Sequence, residues 1–265
     1  MSTYYSDPKV SRADVEEAEA DLRHHIENIR VTFPKAGYRM LLNYLRREQI
    51  KLSEYKLRKV MSKFKLHIKK RKRYIRTTNA NHGFPIYPNL IKNLKINRLN
   101  QVWVSDITYI RIANGFVYLA VVIDLYSRKV VGWEISKKID GELVLGATRM
   151  AFETRSSPQS VIHHSDRGVQ YLCDKHVSYL KVNNFKISCA AKGNPYENAF
   201  AESFMKTLKN DQVDLFKFAT IIDVIENVPN FIEEVYNKKR LHSSLNYLTP
   251  EEFEVNCIKK NRSRS

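Results

Sequence analysis

Cysteine is scarce in this chain of 265 residues: Cys173, Cys189 and Cys257 are odd in number and widely spaced. Such a set excludes a disulfide framework and offers no zinc-ligand spacing, so reduced thiols are expected. Long apolar runs are missing too. No stretch approaches the roughly 18–20 residues needed to cross a bilayer, and the N-terminal residues carry Asp7 with no apolar segment behind it. Membrane insertion and secretion are therefore not supported, and a cytoplasmic protein is expected. Acidic residues are the third shortage, 28 against 45 Lys and Arg. The deficit is local. Between Lys35 and Arg76 stand 16 Lys and Arg against 2 acids, whereas residues 1–34 hold 4 against 7 and residues 77–265 hold 25 against 19. A compact positive segment attracts phosphate backbones by counterion release. That layout favours DNA over an anionic membrane or a merely solvated basic face. Apolar content is not lacking: 43% hydrophobic residues can bury a core of about 100–150 residues with smaller attachments.

Ser11-Arg-Ala-Asp14 reads as a capped helix start. The stripe that follows, Val15, Ala18, Leu22, His25 and Ile29, suits either a second copy or the next helices of the same chain. Residues 37–47 form a short helix, and Ser53 caps another whose apolar face is Leu57, Val60, Met61 and Phe64. Two short helices with a tight connection predict a helix-turn-helix over about 37–66, with Lys56, Arg58, Lys59 and Lys63 as DNA contacts. Behind it, Lys69, Lys70, Arg71, Lys72 and Arg73 suit phosphate tracking. Residues 1–76 are thus expected to be a helical DNA-binding domain. Residues 77–98, with Pro85 and Pro88 and little periodicity, read as a linker.

From residue 99 the pattern changes. Strands are expected over 101–110, 116–124 and 128–135 as an antiparallel meander, a helix over 141–154, a strand over 160–164, a helix over 173–183 and a short strand over 185–188. Strands joined first by hairpins and then through helices predict a mixed α/β sheet for residues 99–220. Residues 221–265 read as a helical extension, with Thr249-Pro-Glu-Glu252 a capping box, and a basic tail. Arg240, with Lys238, Lys239 and His242, suits DNA contact or the neutralisation of a helix end.

Three acids stand on separate elements of that core. Asp106 lies in the first strand, Asp166 follows the fourth, and Glu202 shares a helix face with Lys206 and Lys209, opposite Phe200, Phe204 and Leu208. Brought together, three carboxylates suit hard divalent cations, two Mg²⁺ with Mn²⁺ as a substitute, and in-line phosphodiester chemistry. Asp124 competes for the role but reads as a turn former, and Glu197 lies about 140° around the helix from Glu202. His163 and His164 point to opposite faces of a strand and cannot chelate together. His164 supports either Asp166 or a phosphate, or is a satisfied core histidine. Arg167, Gln170 and Tyr171 are weaker DNA contacts, and Asn194 positions a loop.

Trp103 to Tyr109, His164-Ser-Asp-Arg-Gly-Val-Gln-Tyr171 and Gly193-Asn-Pro-Tyr-Glu-Asn-Ala-Phe-Ala-Glu-Ser-Phe204 together resemble the catalytic core of transposases related to retroviral integrases. The 35 residues between Asp166 and Glu202, and Lys209 seven beyond, resemble that group's spacing. Within it the chain is most similar to the second reading-frame product of the bacterial insertion-sequence family that moves by copy-out, paste-in. The resemblance implies a ribonuclease-H-like core, DNA strand cleavage and transfer at element ends, and catalytic and metal roles for Asp106, Asp166 and Glu202. It also implies double-stranded DNA partners (terminal inverted repeats and target), a homo-oligomer of at least two copies on DNA, location at the nucleoid when bound, and fusion to a first-frame product. A non-catalytic DNA-binding regulator and a hydrolase of RNA–DNA hybrids are the competing readings.

Overall fold

A computed structural model describes residues 11–68, 84–190 and 199–262. The basic run Lys69 to Arg73, Asn194 and Glu197 lie outside them. The chain divides into two compact units, Met1–Arg73 and Tyr74–Ser265.

In the first unit the expected capping box launches α1 (Arg12–Thr32): Ser11 Oγ accepts from the Asp14 amide at 3.1 Å, and the Asp14 carboxylate accepts from the Ser11 amide at 3.0 Å. Leu22, Ile26 and Ile29 of α1 are buried with Leu41, Leu42 and Leu45 of α2 (Tyr38–Arg47) and with Leu57, Val60 and Met61 of α3 (Glu54–Lys63). The buried members of the α1 stripe, Leu22 and Ile29, pack inside their own chain, and α1 contacts both later helices. The others are not core: Val15 and Ala18 are exposed, and His25 bonds Glu48 at the surface.

The second unit is built on a five-stranded sheet in the order β3-β2-β1-β4-β5. Strands β1 (Val102–Ile112), β2 (Gly115–Asp124) and β3 (Val130–Ser136) form the antiparallel meander, and β4 (Ile162–Ser165) and β5 (Lys186–Cys189) add in parallel beside β1. Successive residues of a strand face opposite sides, and both sides of this sheet are apolar. Leu119, Val121 and Ile123 join one layer with Val102, Val104 and the helices that follow residue 199. Ala120 and Val122 join the other with Trp103 and α4 (Gly141–Thr154). This is the mixed α/β sheet that the alternation of hairpins and helices leads one to expect, and it agrees with the ribonuclease-H-like fold that the resemblance implies.

Details differ where local chemistry intervenes. The helix expected over 173–183 forms as α6 (Asp174–Val182), and a short unexpected helix, α5 (Val169–Leu172), precedes it across the extended Cys173. After α7 (Ala199–Leu208) and a π-helical turn (Lys209–Val213), the helix α8 (Ile221–Asn230) contains Pro229 and widens into a second π-helical stretch, Phe231–Asn237. Proline supplies no N–H, so one carbonyl there lacks its intrahelical donor. The Thr249–Glu252 box forms as expected and starts α9 (Pro250–Arg262). Buried Glu254 then ties that helix to Arg155 and to Ser127, the latter at 2.6 Å. Residues 84–98 carry no regular element, yet the Leu90 amide donates to Ser188 Oγ at 2.9 Å and Ile91 and Ile96 pack on the core.

One close approach sets how tightly α4 can lie on the sheet. A Cβ at Gly132 of β3 would stand 2.2 Å from the Ala147 carbonyl oxygen and 2.7 Å from the Ala151 amide nitrogen. Gly132→Ala must therefore push helix from sheet. A loss of about 1–3 kcal/mol is expected in urea titration, and an unchanged midpoint would refute this account of the packing.

Candidate active site

Sheet register brings the first two acids together. β1 and β4 are parallel neighbours with Val102 opposite Ile162 and Val104 opposite His164. Two residues beyond the last pair stand Asp106, still in β1, and Asp166, one residue past the end of β4, while neighbouring strands run about 4.8 Å apart. The chain leaves β4 through a tight turn in which Asp166 Oδ1 accepts from the Gly168 amide at 2.9 Å. A Cβ on Gly168 would lie 3.0 Å from that same oxygen, so glycine lets the turn fold back against the carboxylate. The third acid comes from α7, which packs on β1 through Ala201, Phe204, Met205 and Leu208 and leaves Glu202 and Lys206 exposed.

Electrostatics report the convergence. Asp106 is partly buried, and its carboxyl is pushed up to about 7, first by loss of solvent, then by the negative charge of Asp166 and, less, of Glu202. The Ile107 amide, donating at 2.9 Å, and the Lys209 ammonium pull the other way. Lys209 is itself held over the Tyr109 ring, 4.4 Å from its centroid. Tyr171 is buried beneath the pair, and its phenol is driven well above its usual range by burial and by Asp106 and Asp166. It is thus part of the floor of the site, and the weak expectation of a DNA-gripping Tyr171 fails because the ring has no access to solvent.

The histidines behave as the strand alternation requires. His163 bonds Ser105 Oγ at 2.9 Å and His164 Nδ1 bonds Ser188 Oγ at 2.8 Å, both fully buried. Burial holds His163 well below its usual pKa, with His176 and His164 adding to the effect. Arg167 anchors its Nε to the Ala190 carbonyl at 2.9 Å, next to the site. Asp124 is the turn former it resembles: its carboxylate accepts from the amides of Asn100, Tyr126 and Ser127 at 2.7–3.0 Å and is fully buried. Phe200 departs from expectation. It sits at the edge of the buried arc of α7, 42% exposed. Arg240 is largely buried and paired with Asp211 rather than displayed at the surface. Tyr109 and Arg128, engaged with Lys209 just past α7 and with Phe200 in its first turn, escaped notice because these partners lie about 70–100 residues away in sequence.

Residues 97–195 match the family model described as Integrase core domain, and residues 183–250 match a second model of the same description. Over 254 residues, 95% of this chain and 93% of the relative, the sequence is 32% identical to the insertion element IS600 uncharacterized 31 kDa protein of Shigella sonnei. Over 174 residues it is 41% identical to the transposase InsF for insertion sequence IS3A of Escherichia coli, 65% of this chain and 60% of that one. The chain belongs to the bacterial insertion-sequence transposases. Its integrase-like core is what the site residues are built into. Among solved structures, the HTLV-2 integrase catalytic core domain in complex with magnesium aligns over 57% of the transposase and 94% of its own length, with 17% identity and a TM-score of 0.43.

The donor set of the transposase suits a hard divalent cation: carboxylate oxygens, no thiolate, and mutual repulsion that a cation relieves. Among the described residues no group of three or more His, Cys, Asp or Glu side chains is placed so as to hold a metal ion. In the first unit, Lys56 and Lys59 of α3 are exposed, Arg58 lies between Glu54 and the Tyr38 ring, and Lys63 pairs with Glu19. Among the described residues no helix is long and apolar enough to cross a membrane.

A raised carboxyl has a stability consequence of definite sign. The folded state holds the Asp106 proton more tightly than the unfolded chain, so this group stabilises the metal-free fold fully below about pH 4. That contribution is lost as pH rises through about 7. At pH 8 and without metal, Asp106→Asn is expected to raise the melting temperature by on the order of 3 °C, and Mg²⁺ to stabilise the parent more than the variant. A variant that melts lower than the parent at pH 8 would show that Asp106 is not held under repulsion.

Proposed function

We propose that this transposase cleaves DNA strands at the ends of its insertion sequence and transfers them, using two Mg²⁺ ions, or Mn²⁺ in their place, held by Asp106, Asp166 and Glu202. The observation that carries the reading is the coupling of Asp106 to both other carboxylates and to Lys209 across elements far apart in sequence. Asp106 and Asp166 would hold one ion, and Asp106 with Glu202 the other. Bound there, such ions supply Lewis-acid chemistry, making a nucleophilic oxygen more acidic and stabilising the leaving one.

The chain's own residues supply the rest. Lys206 and Lys209 follow Glu202 on one side of the helix and bind the phosphates next to the reacting one; the Tyr109 ring holds Lys209, whose charge reaches Asp106. Arg167, anchored at Ala190, borders the same place. His164 holds the end of β4 through Ser188, so that Asp166 emerges at a fixed point. The α2–α3 pair acts as the helix-turn-helix that recognises terminal inverted repeats, with Lys56 and Lys59 on phosphates. Two ends and a target must be held at once, so a dimer or larger assembly on cytoplasmic DNA is the working form. Fusion to a first-frame product belongs to the same reading.

Asp166→Asn and Glu202→Gln should each lower cleavage and joining of element-end duplex in Mg²⁺ by more than about 10³-fold with DNA affinity unchanged. Undiminished joining would remove the acids from catalysis, and cutting of an RNA–DNA hybrid without end joining would favour a hybrid nuclease. In a separate measurement, replacing both Lys56 and Lys59 by Ala should flatten the plot of log affinity against log salt by about 2. An unchanged slope would place the DNA on another surface.

A further inference from the structure

The helix that carries Glu202 is gripped from outside at three levels. At its first turn, Arg128 lays its guanidinium over the Phe200 ring, 3.6 Å from the centroid. One turn on, Tyr236 meets Phe204 edge to face at 4.8 Å. Past its end, Arg240 pairs with the buried Asp211 in the π-helical turn. Glu202 lies between the first two levels.

The upper contact is unusual in what it costs both partners. Phe200 is 42% exposed, so the core does not fix it; the guanidinium does. Arg128 has φ 64°, the left-handed region that a long side chain avoids. The turn imposes this: Asp124 gathers the amides of Tyr126 and Ser127, and the Arg128 amide donates to the Asp124 carbonyl at 2.8 Å. The Arg128 Nη1 is buried with no hydrogen-bond partner among the described residues. A guanidinium that lies on a ring while its Nη1 has neither solvent contact nor an acceptor among the described residues acts as a stacking group more than as a surface charge. Below it, His242 meets the Tyr236 ring at 5.0 Å, and burial with the nearby Arg240 and Arg128 keeps that histidine neutral. Both arginines thus flank the tyrosine that holds the middle of the helix.

We infer that Arg128 is a positioning residue for Glu202, acting through Phe200, and that Tyr236 and Arg240 complete a clamp fixing the rotation of the helix on the sheet. The inference rests on Glu202 being a metal ligand, as proposed above. It also gives Arg240 work inside the protein in place of DNA contact.

The test uses the full chain and two readouts that need no turnover: amide hydrogen exchange over residues 199–208, and Mn²⁺ affinity by electron paramagnetic resonance. Arg128→Met and Phe200→Leu should each speed exchange of those amides about tenfold and weaken Mn²⁺ binding about tenfold, with exchange in α4 and DNA affinity unchanged. Arg128→Lys and Phe200→Tyr keep a cation on a ring and should restore most of both. Because the pair acts as a unit, the double variant should be no worse than either single one. Parent-like exchange and Mn²⁺ affinity in Arg128→Met, or losses that multiply in the double variant, would overturn the clamp. Glu202→Gln keeps the two readings apart: unchanged Mn²⁺ affinity there would sink the ligand assignment, while the exchange result would still judge the clamp.

Discussion

Repulsion among carboxylates is the constraint around which the core of this transposase is arranged. Asp106 alone is forced up to about 7 by burial and by two acidic neighbours. A fold tolerates that only if other interactions hold the three backbones in place regardless. Here the sheet supplies two positions through ladder register, and a helix packed on the same strand supplies the third. Ladder and packing thus fix the backbone at the place where the acidic side chains crowd one another.

That rigidity is assembled from several small devices. Asp124 is an acid too, but it spends its oxygens on the amides of Asn100, Tyr126 and Ser127. The turn it shapes sends Arg128 onto the first turn of the Glu202 helix. Glu254 ties the last helix to the same turn through Ser127 and to α4 through Arg155. The segment after the core therefore does structural service for the site, although none of its residues carries a proposed ligand.

The charge of the chain is divided in the same spirit. The small three-helix unit has an apolar centre of leucines and a surface with exposed Lys56 and Lys59, while its other basic groups are partly engaged with Glu19, Glu54 and Tyr38. The acids Asp106, Asp166 and Glu202 belong to the other compact unit, so the basic and acidic clusters are carried by different parts of the chain.

Read from residues alone, the chain yielded its strands and most helix starts, and it singled out the acids Asp106, Asp166 and Glu202, whose charges the fold couples. Those features are local: alternation over a strand, a Ser11–Asp14 or Thr249–Glu252 box, and acids spaced along a recognisable motif. Three things escaped. Phe200 looked like core because period four puts it in line with Phe204, but burial is decided by which arc meets the sheet, and small Ala201 turned that arc away from it. Arg240 looked like a DNA contact, whereas its partner Asp211 is 29 residues upstream and invisible to any window. Lys209 over Tyr109 is a meeting of strand and helix that no spacing rule encodes. The sequence by itself determined which chemistry the protein carries, because carboxylates, bases and apolar periods are properties of residues. Only the tertiary structure decided which groups act on one another, because contacts across a sheet and its covering helices depend on register and packing, quantities that exist only once the chain has closed on itself.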